Sequence, residues 1–199
     1  MTVDERANTR RASGTVSRAI FVMIVGVLAG CGPAGNPPDV SNPQVVGGQK
    51  LAFAYFERCI NPIFFTQIGV NTCGAAGCHG PGGTGGALKV IPNAALVDVT
   101  NPANTPAVIK QTDIYKNFVS AQGQTLLADP SQSRLINKPL VRGVLHGGGQ
   151  IFTSDQDPLI KLMEYWITHP APLGQDEFST TTYSMFTPAD PNAGTCNTQ

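Results

Sequence analysis

The sequence predicts a mostly α protein, a small domain of about three main helices joined by long loops rich in glycine and proline. Three observations carry this. Apolar residues recur at helical spacing in three separate stretches. Each of those stretches meets a proline or glycine near its end. The chain holds 22 glycines and 16 prolines, and many of them crowd the segments in between. With 41% hydrophobic residues among 199, the chain can bury one modest core.

The N-terminus is basic, with Arg6, Arg10, Arg11 and Arg18 ahead of an apolar run from Ala19 to Leu28. A charged start followed by a run too short to span a bilayer reads as an export leader over residues 1–30. The run ends in Leu28-Ala29-Gly30-Cys31, which resembles the lipobox of bacterial lipoproteins. That resemblance implies cleavage before Cys31 and acylation of its thiol, hence a lipid anchor in the cell envelope. Gly32, where an aspartate would retain the protein at the inner membrane, points to the outer membrane.

Residues 31–48 are rich in Pro, Gly and Asn and read as a flexible tether. The domain proper is expected over 49–169. Ala52, Phe56, Cys59, Ile60 and Ile63 mark a first helix over roughly 49–65, which Pro62 kinks or ends. From Gly69 to Thr105 glycine, proline and asparagine are too dense for a continuous helix or strand. A second helix is expected near Thr112–Ala121, with Thr112 as N-cap, Ile114, Tyr115, Phe118 and Val119 as its apolar face and Gly123 past its end. The last helix is the clearest. Asp157-Pro158 caps and starts it, Leu159, Leu162, Met163, Trp166 and Ile167 form its stripe, and Pro170 closes it. Residues 170–199 read as an irregular C-terminal tail.

The chemistry concentrates in Cys73-Gly-Ala-Ala-Gly-Cys78-His79. Two thiols with an imidazole directly after the second one match the way haem is attached: thioether bonds clamp the macrocycle and the neighbouring imidazole ligates the iron. The usual spacing is C-x2-C-H and here it is C-x4-C-H, so a longer turn must join the two sulfurs. Gly74 and Gly77 make such a turn sterically easy.

The motif resembles that of c-type cytochromes, and the likeness continues beyond it. Gly85-Gly86-Ala87-Leu88-Lys89-Val90, Asp129-Pro130-Ser131-Gln132-Ser133-Arg134-Leu135, His146-Gly147-Gly148-Gly149 and Tyr165-Trp166-Ile167 follow in the order seen in surface and planctomycete-type cytochrome domains. The resemblance implies a cytochrome c-like domain around one covalently bound haem c, with Cys73 and Cys78 as the attachment sites and His79 as the proximal ligand. It also implies an acceptor for the second ring nitrogen of His79 at a backbone carbonyl near Pro92. In similar domains the distal ligand comes from the loop ahead of the last helix, which assigns His146. Gly147, Gly148 and Gly149 let the backbone approach the macrocycle there. Met163 is the alternative, although its place on the apolar stripe suits core packing, and Met185 in the tail is less constrained. The partners so implied are other envelope cytochromes or redox proteins, and the role is one-electron transfer rather than catalysis. A haem peroxidase would differ in keeping one iron position open.

Setting aside Cys31, Cys73 and Cys78 leaves Cys59 and Cys196, which suggests one disulfide in an oxidising compartment. The alternative is two free thiols. Other readings of the motif are a Cys73–Cys78 disulfide in a non-redox structural or binding lipoprotein, and a zinc site from Cys73, Cys78, His79 and His146. His169, at the end of the last helix, suits an interaction with the helix dipole. With 13 basic and 13 acidic residues and no run of either sign, the chain lacks the charge excess that nucleic-acid binding needs.

Overall fold

The computed structural model describes residues 48–70 and 72–199. The expected leader, the acylated Cys31 and tether residues 31–47 lie outside the described residues.

The first helical run changes its winding twice. It begins as α1 (Phe53–Tyr55), widens into a π-helical turn over Phe56–Ile60 and tightens into a 3-10 turn over Asn61–Phe65. The single helix expected over 49–65 is therefore three short pieces. Pro62 offers no N–H and so cannot close an ordinary turn onto the carbonyl four residues back. The Asn61 N–H reaches Phe56 O instead, across the wider turn. Leu51 to Phe56 are all buried, so this run is enclosed on every side rather than on one face.

The last helix, α5 (Pro158–Thr168), crosses it. Asp157 caps it by accepting the Leu159 N–H at 2.8 Å, and Pro158 sits in the first turn where a missing N–H costs nothing. Its buried residues are Ile160, Met163, Tyr165, Trp166 and Ile167, while Leu159 and Leu162 are only half-buried. Trp166 makes the crossing: its ring lies 5.4 Å from that of Phe56, and its indole N–H donates to Ala52 O at 3.0 Å. A fully buried indole thus has its one donor satisfied.

Between them lies α3 (Asp113–Gln122), with Thr112 accepting the Tyr115 N–H at 3.3 Å. Its inner face is Ile114, Asn117, Phe118 and Ala121, whereas Val119, expected inside, is half exposed. Two helices had no counterpart in the sequence reading, α2 (Pro106–Ile109) and α4 (Arg134–Leu140). Both are short, and α4 carries Pro139 in its last turn, which reads as a breaker but is tolerated once the helix is about to end.

Residues 170–199 are mostly irregular in backbone yet closely packed. They form a 3-10 turn over Thr180–Met185 and a two-residue antiparallel pairing of β1 (Phe186–Thr187) with β2 (Thr195–Cys196). Glu177, Thr182, Met185 and Phe186 are buried. The Phe53 N–H donates to Glu177 O, Tyr55 Oη donates to Asn197 O, and the Phe186 ring lies 5.5 Å from that of Tyr55. Cys196 is disulfide-bonded to Cys59, with the two Cα atoms 6.0 Å apart. Among the described residues no helix is long and apolar enough to cross a membrane.

Candidate functional site

The loop carrying Cys73, Cys78 and His79 is wound by its own backbone. The Ala75 N–H donates to Thr72 O, and the Cys78 and Gly80 N–H groups both donate to Ala75 O. The His79 N–H reaches back to Cys73 O at 3.0 Å, so the longer C-x4-C-H spacer closes on itself and brings the two ends of the motif together. Gly85 lies against this turn: a Cβ there would stand 2.6 Å from Cys78 O and 2.7 Å from His79 Nδ1, so no larger residue fits. Gly74 is similarly wedged under the Phe65 ring, whereas Gly77 has open space around it and is not sterically required.

The strip 88–91 runs alongside the motif and holds it to the core. The Val90 N–H donates to His79 O at 2.9 Å, and Leu88 O lies 3.0 Å from His79 Nδ1. The carbonyl that orients His79 is therefore Leu88's, not one near Pro92, because the backbone pairing sets strip and imidazole side by side four residues earlier. Asn117 braces the strip from α3: its Oδ1 accepts the Ile91 N–H at 2.6 Å, and its Nδ2 donates to Ile91 O and to Asn61 Oδ1. This fully buried amide joins strip, α3 and the first helical run, and its polar character hid it from a search for apolar faces.

His146 lies on the loop that leads from α4 toward α5. Its ring is 8° from parallel to that of His79, with centroids 6.1 Å apart. Its Nδ1 lies 2.7 Å from the carbonyl oxygen of Gly149, whose positive φ of 74° is one that glycine adopts without strain. Facing a carbonyl, each Nδ1 must carry the proton, which leaves the Nε2 lone pair of both rings available to a metal. Burial holds the His79 pKa below the ordinary histidine range, with the Leu88 carbonyl opposing and the charges of Lys89 and Lys138 adding to the effect. Its ring is thus the neutral, ligating form at neutral pH.

Two cavities flank the histidine pair, and both are lined by Cys73, His79, Gly85, Lys138 and His146. The inner one, about 560 Å³ counting its open mouth, is walled by Phe64, Leu88, Leu135, Phe152 and Met163. The outer one, about 990 Å³ counted likewise, adds Cys78, Gly147 and Gly148. Without the open space, the inner cavity holds about 50 Å³ and the outer one about 410 Å³, so only the outer one reaches the size of cofactor sites. Cys73 and Cys78 are both free thiols, half-buried, and burial pushes the Cys73 pKa up. Met163 lines the inner cavity as part of its apolar wall. His169 stands apart, capping α5 with Nδ1 2.8 Å from Tyr165 O. Among the described residues no three His, Cys, Asp or Glu side chains gather around a point that could hold a bare metal ion.

Comparison with protein-family models, with curated proteins and with solved structures gives no match.

Proposed function

We propose that this chain is a lipid-anchored mono-haem c-type cytochrome that serves as a one-electron carrier in the bacterial cell envelope, with a cytochrome c-like domain around the haem. The observation that carries the reading is the His79–His146 pair. Two ring-nitrogen-to-metal bonds of about 2 Å, with the half-width of each ring added, set the centroids of two imidazoles on one metal about 6 Å apart, and the observed separation is 6.1 Å. Both rings have the tautomer that ligation needs. Cys73 and Cys78, free and beside His79, supply the two sulfurs for thioether attachment, and the apolar inner wall suits a macrocycle. Zinc, by contrast, asks for four ligands around one point, and among the described residues no three His, Cys, Asp or Glu side chains gather in that way.

A haem so held supplies reversible one-electron exchange. If His79 and His146 both took the iron, it would keep no position for a substrate, which favours electron transfer over a peroxidase. Val144 and Leu145, the latter 91% exposed, flank His146 and give the rim an apolar contact for a transient complex with another envelope redox protein. The lipobox-like segment ending at Cys31 supports anchoring, since two acyl chains suffice to hold a protein at a membrane.

The decisive experiment is the absorption spectrum of the purified protein in alkaline pyridine after reduction. A haemochrome α-band that survives acid-acetone extraction is expected. Its absence would favour a non-redox lipoprotein in which Cys73 and Cys78 are bridged. Replacing Cys31 by Ser should move the protein to the soluble fraction, and retention in membranes would refute the anchor.

A further inference from the structure

Arg134 and Lys138 stand one turn apart on α4, at the i, i+4 spacing that puts two side chains on one face. Both line the inner cavity, whose remaining wall is apolar except for Gln124 and the histidine pair. Neither cation meets a carboxylate among the described residues, where the ion pairs are Lys110–Glu177, Lys116–Asp113, Arg142–Asp155 and Lys161–Glu164. Arg134 occupies the first turn of α4, where a positive charge opposes the helix dipole, so local helix energetics do not account for it. Lys138 lines both cavities.

Arg134 also lies on the side of the site away from Cys78. Cys78 lines only the outer cavity and Arg134 and Gln124 only the inner one, with Cys73, His79, Lys138 and His146 common to both. Haem carries its two thioether-forming substituents on one edge and its two propionates on the opposite edge. A macrocycle attached at Cys78 and held by the histidines would therefore turn its carboxylates away from Cys78, toward the cavity that Arg134 lines.

We infer that Arg134 and Lys138 form a clamp for the paired carboxylates of the bound haem. The inference rests on the haem reading of the site given above. Arg134 presents a planar fork that matches a carboxylate bidentately, Lys138 a point charge, and Gln124 a neutral donor lining the same cavity. These are positioning residues: they set the in-plane rotation of the macrocycle and place positive charge near the iron. Positive charge there disfavours the ferric form, so its removal shifts the midpoint potential to more negative values.

The test compares haem-loaded wild-type protein with Arg134→Gln, Lys138→Gln and, as a control, Lys116→Gln, whose lysine pairs with Asp113 on the exposed side of α3 and lines neither cavity. Resonance Raman bands from propionate bending and the midpoint potential at one fixed pH are read. The bands should move and the potential should fall in both cavity variants, more in Arg134→Gln, and neither should change in Lys116→Gln. Unmoved propionate bands in Arg134→Gln, or equal shifts in the control, overturn the clamp. Should Arg134→Gln not accumulate with haem, Arg134→Lys retains the charge without the fork and must still move the bands; unmoved bands there overturn the clamp as well. A wild-type protein without covalent haem overturns the cytochrome reading itself, a result distinct from a haem protein whose propionates ignore Arg134.

Discussion

The rings of His79 and His146 lie within 8° of parallel, yet the two residues are held by very different surroundings. His79 belongs to a loop tied by backbone hydrogen bonds to its own turn, to Phe64 O through Gly74, and to the strip at Val90. His146 sits at the tip of a loop whose base is secured by Arg142–Asp155 at 2.9 Å and by the Ile151 and Phe152 N–H groups, both donating to Pro139 O. Between those fixings its one side-chain bond is to Gly149, three residues on. In the proposed cytochrome the proximal side is rigid and the distal side depends on this loop.

Parallel imidazole planes direct their π-donation into the same iron d orbital and split the pair that crossed planes leave nearly degenerate. The oxidised haem protein should therefore give a rhombic low-spin electron paramagnetic resonance spectrum. His146→Ala should convert it to a high-spin form, and the reduced variant should bind carbon monoxide readily. An unchanged spectrum in that variant, with the charge-transfer band of iron–methionine coordination, would move the distal role to Met163.

Gly85 touches the proximal ligand directly. Gly85→Val places carbon atoms against Cys78 O and His79 Nδ1, displacing the ring from Leu88 O. Haem content per protein, measured by pyridine haemochrome, should fall severalfold, whereas Gly77→Ala, with nothing within 4 Å of the new methyl, should load normally.

Asn117 is the test of the brace behind the site. Asn117→Leu orphans the Ile91 N–H and C=O, at a cost of about 1–3 kcal/mol for each buried group left unsatisfied. Denaturant unfolding should show that loss, and Val119→Ala on the exposed face of the same helix should show almost none.

Glu57 is 1% exposed, and burial pushes its pKa up from 4.5 to about 7, with the N–H of Val97 at 3.0 Å offsetting part of the rise. Between those two pH values the folded chain holds a proton that the unfolded chain has released, so this group makes stability fall as pH rises from 4.5 to about 7. The full effect is about 3 kcal/mol, from 1.36 kcal/mol per pKa unit. Melting temperature followed across that range should decline in the wild type relative to Glu57→Gln, and parallel curves would show that Glu57 is ionised in the fold.

The Cys59–Cys196 bridge closes a loop of 137 residues. The chain-entropy model assigns such a loop roughly 4–5 kcal/mol. A Cys59→Ser, Cys196→Ser protein should unfold at correspondingly lower denaturant, with residues 186–199 the first to become protease-sensitive.

Local chemistry alone carried several features of this protein. Asp157-Pro158 starts α5 and Thr112 caps α3 because capping needs only a side-chain oxygen and the next few backbone N–H groups. The grouping of Cys73, Cys78 and His79 is likewise a matter of adjacency, whereas the pairing of His146 with them is implied only by the resemblance to cytochrome domains. Other features belong to the tertiary structure. Pitch changes over residues 53–65 follow from enclosure on every side together with Pro62, and α4 persists despite Pro139 because Leu135, Ile136 and Leu140 are buried. Residues 170–199 show no periodicity, yet they are held by long-range contacts to Phe53, Tyr55 and Cys59. The ring separation of 6.1 Å, the Leu88 and Gly149 carbonyls that set both tautomers, and the cations facing the inner cavity all join residues far apart in the chain or depend on backbone direction. Spacing along a sequence encodes which residues share a helix face or a turn. Distances between segments are set by how the core packs, and that is where the geometry of this site was decided.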